Sequence, residues 1–402
     1  MKDFIFSVAI FWSALFFSIT SLWGISYVGS SSSGVYVYIS AGVAFLSILT
    51  VAVDFLKNSY LSSSEIISCF IMLVFISIGV ISGYYSSSMF GQFILFCVPA
   101  TVVALYYARR KSISSIVKWI EVWMVVLTLS FFVTIPALVG NVMDQTAWYS
   151  QTMSYDAACA ILLNLYLMMY GDQYIRFKFF SSSFYKIACW FLLLIQLVAL
   201  FMGGGRGAVV VVFVGVLFLI PTIRKRFHNS SVIIVVAIAF LLVGFYMIYQ
   251  KGDSGITYVL EKNMTRSYSM FDKSLSLYDR TSGRNTVYSE SVQAIMESPI
   301  VGYGLFKYVE QIKPQPYPHN LILEWALQYG ILFAIVCVCV IVHIIRKFRR
   351  HKRNDNQLVM MTPLMAVSFT QLMFSGSYLQ TPLFWFVIIF VFNYKPFIPN
   401  RR

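Results

Sequence analysis

Three residues have the chemistry and the setting to act on a substrate, and they are far apart in the chain. His319 stands in Pro318-His319-Asn320, directly before a long apolar run. The other histidines, His228, His343 and His351, lie in or beside clusters of lysine and arginine. A helix N-terminus carries partial positive charge and disfavours protonation of an imidazole, and neighbouring arginines do the same. Such a histidine is neutral near pH 7 and can accept a proton. A helix-capping or interfacial histidine explains the same position. Arg284 follows Ser282-Gly283, with Arg280 four residues earlier beside Asp279; the planar guanidinium suits bidentate contact with phosphate oxygens. Arg206 follows Gly203-Gly204-Gly205 and opens a valine-rich apolar run. Glycines there would bare backbone amides, Gly205 among them, at a helix N-terminus, where phosphate binds well. An arginine snorkelling to lipid headgroups reads equally well. The run lacks the Lys-Ser/Thr ending of a P-loop. Glu324, one turn after His319, needs a partner at that depth. It could orient His319, pair with an arginine or sit in a polar cavity.

The elements that must position these residues are membrane helices. Of 402 residues 59% are hydrophobic and 11% charged, against about 25% charged in soluble domains. Apolar blocks recur at roughly 18–22 residues, the length that crosses a ~30 Å hydrocarbon core as helix. The pattern predicts an all-α polytopic membrane protein with about twelve spans, near 4–27, 34–53, 65–83, 91–108, 118–139, 155–170, 185–202, 206–222, 231–249, 321–345, 357–375 and 380–394. Strand-like alternation is absent, which argues against a membrane barrel. The whole chain, 1–402, reads as one membrane domain, with a large polar loop at 250–320 packed over the bundle.

The net charge of +14 does not point to nucleic acid. The basic residues fall in short clusters between apolar runs, where they set orientation. Alternating the spans puts 21 of the 30 lysines and arginines on one side. Eight of the remaining nine lie in the long loop, whose length exempts it from the rule. Both termini are therefore expected in the cytoplasm and the loop outside. The six cysteines lie within apolar runs without metal-ligand spacing or a disulfide framework, and read as small core residues. No Asp-x-Asp or His/Cys cluster calls for a metal, and no cofactor is expected.

Inside the loop, Val287, Ser291/Val292, Ile295 and Met296 recur at helical spacing. Pro299 ends that helix, Gly302 and Gly304 make a tight turn, and Asn320 or His319 caps the helix that re-enters the membrane. The outer aromatics, Tyr303, Tyr308 and Tyr317 among them, could stack on sugars or form an interfacial belt.

The order of these motifs is similar to that of a known group. Gly205-Arg206-Gly207-Ala208 opening an apolar helix, Ser282-Gly283-Arg284 in a long outer loop, Ser298-Pro299-Ile300-Val301-Gly302-Tyr303-Gly304, and Pro318-His319-Asn320-Leu321-Ile322-Leu323-Glu324 before Tyr329-Gly330 resemble the O-antigen ligase/polymerase superfamily. The resemblance spans about residues 200–330; the first half matches only in hydropathy. It implies a glycosyltransferase of the bacterial inner membrane. Such an enzyme takes a glycan from an undecaprenyl-pyrophosphate carrier and either polymerises repeat units or ligates them to lipid A-core. It also implies catalytic roles for His319 as base and for Arg206 and Arg284 on the pyrophosphate. Arg280, Glu324, Asn320, Tyr303 and Gly205 join them as substrate-binding positions. A separate chain-length-determining co-polymerase is an implied partner. The glycine-flanked Arg206 and the Pro-His-Asn run resemble the polymerases more than the ligases. A flippase of lipid-linked sugars is the rival from another class, but Glu65, Glu121 and Asp156 are the few acids within the first nine spans, and a transport path needs more.

Overall fold

In a computed structural model the structure describes residues 1–22, 32–57, 61–84, 88–110, 113–139, 147–174, 176–226, 274, 284–312, 317–352 and 356–394. The predicted span at 231–249 and most of the loop ahead of Arg284, Arg280 included, lie outside these residues. Eleven of the twelve predicted spans correspond to helices, and no strand occurs among the described residues. We number the helices α1 (Lys2–Leu22), α2 (Ser32–Lys57), α3 (Ser63–Ile81), α4 (Ser88–Arg110), α5 (Ser114–Val139), α6 (Ala147–Tyr170), α7 (Ser183–Met202), α8 (Arg206–Arg226), α9 (Arg284–Glu297), α10 (Leu321–Lys352), α11 (Met361–Leu372) and α12 (Pro382–Asn393). Seven of them, α2 to α7 and α10, are long and apolar enough to cross a membrane, and α8, α11 and α12 contribute shorter apolar helices. The protein is multi-pass and all-helical.

Burial separates the helices into an inner and an outer set. In α6, 83% of the apolar window is buried, against 22% in each of α2, α3 and α10. The exposed leucines, isoleucines and phenylalanines of those three helices would be intolerable in water over such an area and face lipid instead. Helix α6 is the hub: it packs on α5, α7, α8 and α11, while α1 lies against α5 and α4 against α12. The Arg176 guanidinium, which counts by position as an orientation charge, folds back on Glu121 of α5, Nε donating at 2.9 Å. Both side chains are almost fully buried. Further in, Asn164 Nδ2 donates to Gln196 Oε1 at 3.2 Å and Gln196 Nε2 to Thr128 Oγ1 at 2.7 Å, tying α5, α6 and α7 with side-chain hydrogen bonds where lipid-like packing gives little directional preference.

Local sequence explains several helix ends. Ser62 and Glu65 form a reciprocal capping box at the start of α3. Helix α10 runs past its predicted end at 345 to Lys352, because Arg346, Lys347, Arg349, Arg350 and Lys352 favour a helix C-terminus. All six cysteines are free thiols; Cys97, Cys159 and Cys189 are buried as read, whereas Cys339 is exposed on α10.

Candidate active site

The start of α10 is built by Tyr317-Pro318-His319-Asn320. Asn320 is the cap: its Oδ1 accepts from the amides of Ile322 at 3.0 Å and Leu323 at 3.2 Å. Of the two capping residues the sequence allows, it is therefore Asn320 that satisfies the helix and His319 that is left over. The His319 backbone sits at φ 53°, a left-handed conformation that costs a residue with a Cβ about 1–2 kcal/mol. The Tyr317 ring stands edge-on to the imidazole, with centroids 4.7 Å apart. The Nδ1 atom of His319 is buried without a hydrogen-bond partner among the described residues. Burial first, and the Arg284 cation second, push its pKa down to about 4. The imidazole is therefore neutral over the physiological range.

Arg284 reaches this point because α9 packs on α10, and the packing depends on a kink. At Gly330, φ 81° and ψ 169° break the helical path of α10, freeing the carbonyls of the preceding turn. The Ser298–Gly304 turn fills the gap. Tyr303 N–H donates to Leu327 O at 2.7 Å, Gly304 N–H to Gln328 O at 2.9 Å, and Ile331 N–H to Pro299 O at 2.7 Å. Backbone on backbone leaves no room for side chains at the crossing. A Cβ at Gly302 would lie 2.6 Å from the Gln328 carbonyl carbon, and one at Gly330 would overlap the Ile300 carbonyl. The turn thus latches α9 and its first residue, Arg284, to the N-terminal part of α10.

Beneath the latch lies a buried polar network. Glu324 is 1% exposed and accepts from Tyr308 Oη at 2.7 Å and from the Ser377 hydroxyl. Tyr329 and Tyr378 share a hydrogen bond of 2.8 Å, and Tyr378 donates on to Gln328. Of the three roles its position allowed, Glu324 occupies the polar cavity: its described hydrogen bonds run to hydroxyls of the loop and of the α11–α12 connection, not to His319 or an arginine. Tyr308 and Tyr317 are buried rather than interfacial. Burial, reinforced by the Glu324 carboxylate, raises the Tyr308 hydroxyl well above its ordinary range.

The other wall comes from α6, α7 and α8. Gly203 and Gly204 (φ 65°) turn the chain sharply between α7 and α8, and Arg206 is the first residue of α8. The amide expected to be bare at Gly205 is not: it donates to Ser154 Oγ at 3.0 Å, and that hydroxyl donates to Leu200 O at 3.2 Å. A Cβ on Gly205 would lie 2.7 Å from Ser154 Cβ, and one on Gly207 would overlap Tyr155 Oη and come within 2.6 Å of Phe374 Cβ. The two glycines around Arg206 are thus the sockets for Ser154 and Tyr155 of α6. Gly205 serves helix–helix packing, not an amide nest for phosphate.

Arg284 lies within electrostatic reach of both His319 and Tyr155, Tyr317 stands between these groups, and the Tyr155 hydroxyl rests against Gly207 at the start of α8. Asn320 is part of the scaffold of this site. Tyr303 is not drawn into it; its hydroxyl donates to Glu297 at 3.0 Å on the surface of the turn. Sequence reasoning missed Ser154 and Tyr155 altogether. The one available signal was the polar triplet Ser154-Tyr155-Asp156 within an apolar run.

Residues 191–338 match the family model described as O-antigen ligase. The match contains all four motifs, from Gly205-Arg206-Gly207 to Pro318-His319-Asn320, and both walls of the site except the α6 residues. No curated protein matches the chain. With the motifs in this order on an all-helical membrane scaffold, the match over residues 191–338 supports the O-antigen ligase/polymerase superfamily.

Proposed function

We propose that the protein polymerises undecaprenyl-pyrophosphate-linked oligosaccharide repeat units on the outer face of the bacterial inner membrane. The loop at 250–320 would cover a lateral, lipid-accessible site, and both termini would face the cytoplasm. In the reaction an acceptor hydroxyl oxygen attacks the anomeric carbon of the donor glycan. The bond from that carbon to the pyrophosphate oxygen breaks, undecaprenyl pyrophosphate leaves, and His319 takes the hydroxyl proton. Arg284 and Arg206 neutralise the leaving pyrophosphate, so charge is stabilised where it develops. Glu324 and Asn320 act through the scaffold, holding the loop and the start of α10 that carries His319.

The observation that carries this reading is a neutral, partly buried imidazole within electrostatic reach of the Arg284 cation. A base held neutral next to a cation has a use when an anion binds between them. The bound pyrophosphate would cancel the field of Arg284 and raise the basicity of His319 as the acceptor arrives. Purified protein in lipid nanodiscs, given a lipid-pyrophosphate oligosaccharide and no ion gradient, should make longer glycans. His319→Ala and Arg284→Ala should lower the rate by at least about 100-fold. Normal products from either variant would remove the reading, and transfer that requires a gradient would point to a transporter.

The ligase reading has one observation in its favour, the description of the matching family itself. A strain lacking the gene separates the two. Loss of a polymerase leaves single repeat units on lipid A-core, whereas loss of a ligase leaves none and accumulates lipid-linked polymer.

A further inference from the structure

Tyr155 stands four residues into the apolar window of α6 and is 6% exposed. Its Oη has no hydrogen-bond partner among the described residues. A buried hydroxyl normally finds one, since leaving it unmade costs about 1–3 kcal/mol. The surroundings of this oxygen are polar all the same. Arg284 and Ser375 approach it without completing hydrogen-bond geometry, and the electrostatic reach of Tyr317 extends to it. From below it rests on the bare Cα of Gly207, one residue after Arg206. Four elements therefore converge on one O–H.

The chemistry of these neighbours says what is missing. A guanidinium has five N–H donors and no acceptor, so Arg284 can never take the phenolic proton. What would satisfy both groups at once is an oxygen acceptor with negative charge, placed between the Arg284 fork and the Tyr155 hydroxyl. We propose that Tyr155 is a binding residue for the donor lipid, its O–H donating to a pyrophosphate oxygen that Arg284 also holds. This assignment rests on the reading of Arg284 as the pyrophosphate ligand. It also gives the glycine at 207 a purpose beyond packing, because any Cβ there would displace the phenol from its position over the start of α8.

The test uses the full-length protein in nanodiscs with undecaprenyl pyrophosphate as the probe, and binding read by microscale thermophoresis. Tyr155→Phe keeps the ring and removes only the hydroxyl, and should weaken binding by about ten-fold, the value of one hydrogen bond to a charged acceptor. Its thermal midpoint should match wild type, since the hydroxyl completes no hydrogen bond among the described residues. Gly207→Ala should weaken binding in the wild-type background but add little to Tyr155→Phe, as expected if both act through the same oxygen. Unchanged binding in Tyr155→Phe alongside lost binding in Arg284→Ala would overturn the proposal and leave the catalytic reading standing. Unchanged binding in Arg284→Ala would overturn both. Weaker binding accompanied by a lowered midpoint in Tyr155→Phe would assign the hydroxyl to folding and overturn the proposal as well.

Discussion

At pH 5.5 an ordinary histidine, with a pKa of about 6.5, is roughly nine-tenths protonated. His319, held at about 4 by burial and then by Arg284, should be almost wholly neutral there. The gap between those two values corresponds to about 3 kcal/mol at most, because the imidazole keeps some exposure at the mouth of the site. Its sign follows from proton counting. Between about pH 6.5 and pH 4 the unfolded chain binds a proton at this residue and the folded chain does not, so stability falls as pH falls through that window and is untouched above it. Replacing Arg284 by Gln removes the smaller of the two causes. The His319 titration should then move up from about 4 but stay below the ordinary value, since burial is the larger cause. Imidazole NMR on histidine-labelled protein in micelles reads this directly, with His319→Gln identifying the signal among four. A His319 titration near 6.5 in the wild type, or one that Arg284→Gln leaves in place, would refute the pairing of a neutral base with a cation on which the mechanism depends.

Three further outcomes test the scaffold. Gly302→Ala and Gly330→Ala combine a left-handed backbone with a Cβ driven into the chain opposite. Each should cost at least about 2 kcal/mol, whereas Gly304→Ala, at φ 88° with open space around it, should cost about 1 kcal/mol. Thermal midpoints in micelles rank the three, and equal midpoints would discard the latch. Arg176→Leu strands the Glu121 carboxylate in the bundle and should destabilise by about 3–5 kcal/mol, while adding Glu121→Leu should restore much of the loss; denaturant titration of the single and double variants measures it. Asn320→Ala removes the side-chain cap of α10 and should lower stability by about 1 kcal/mol, detectable as a lower midpoint, with activity falling only as far as His319 is displaced.

Much of this protein is written locally. Apolar runs of membrane length predicted eleven of the described helices in order, because in lipid a segment of that length must satisfy its own backbone and only a helix does so. The cap at Asn320, the end of α9 at Pro299 and the turn at Gly302 and Gly304 are likewise signals carried by a few neighbouring residues. His319 and Arg284, read from residue type and position, come within electrostatic reach of each other. What the sequence left open was everything that depends on which helix lies beside which. The Gly205 amide could have been bare for phosphate until α6 supplied Ser154 to take it. Glu324 could orient His319, pair with an arginine or sit in a polar cavity, and Tyr308 and Ser377, from two distant connections, decided for the last. Arg176 read as an orientation charge until Glu121 buried it. A helix's own sequence states what it must bury, but not which helix will do the burying, since packing between membrane helices rests on shape and a few polar contacts rather than on a strong hydrophobic drive. The proposed site lies on such a seam: the residue types at 206, 284 and 319 were legible in the sequence, whereas the approach of Tyr155 to Arg284 and to the start of α8 was decided by α6.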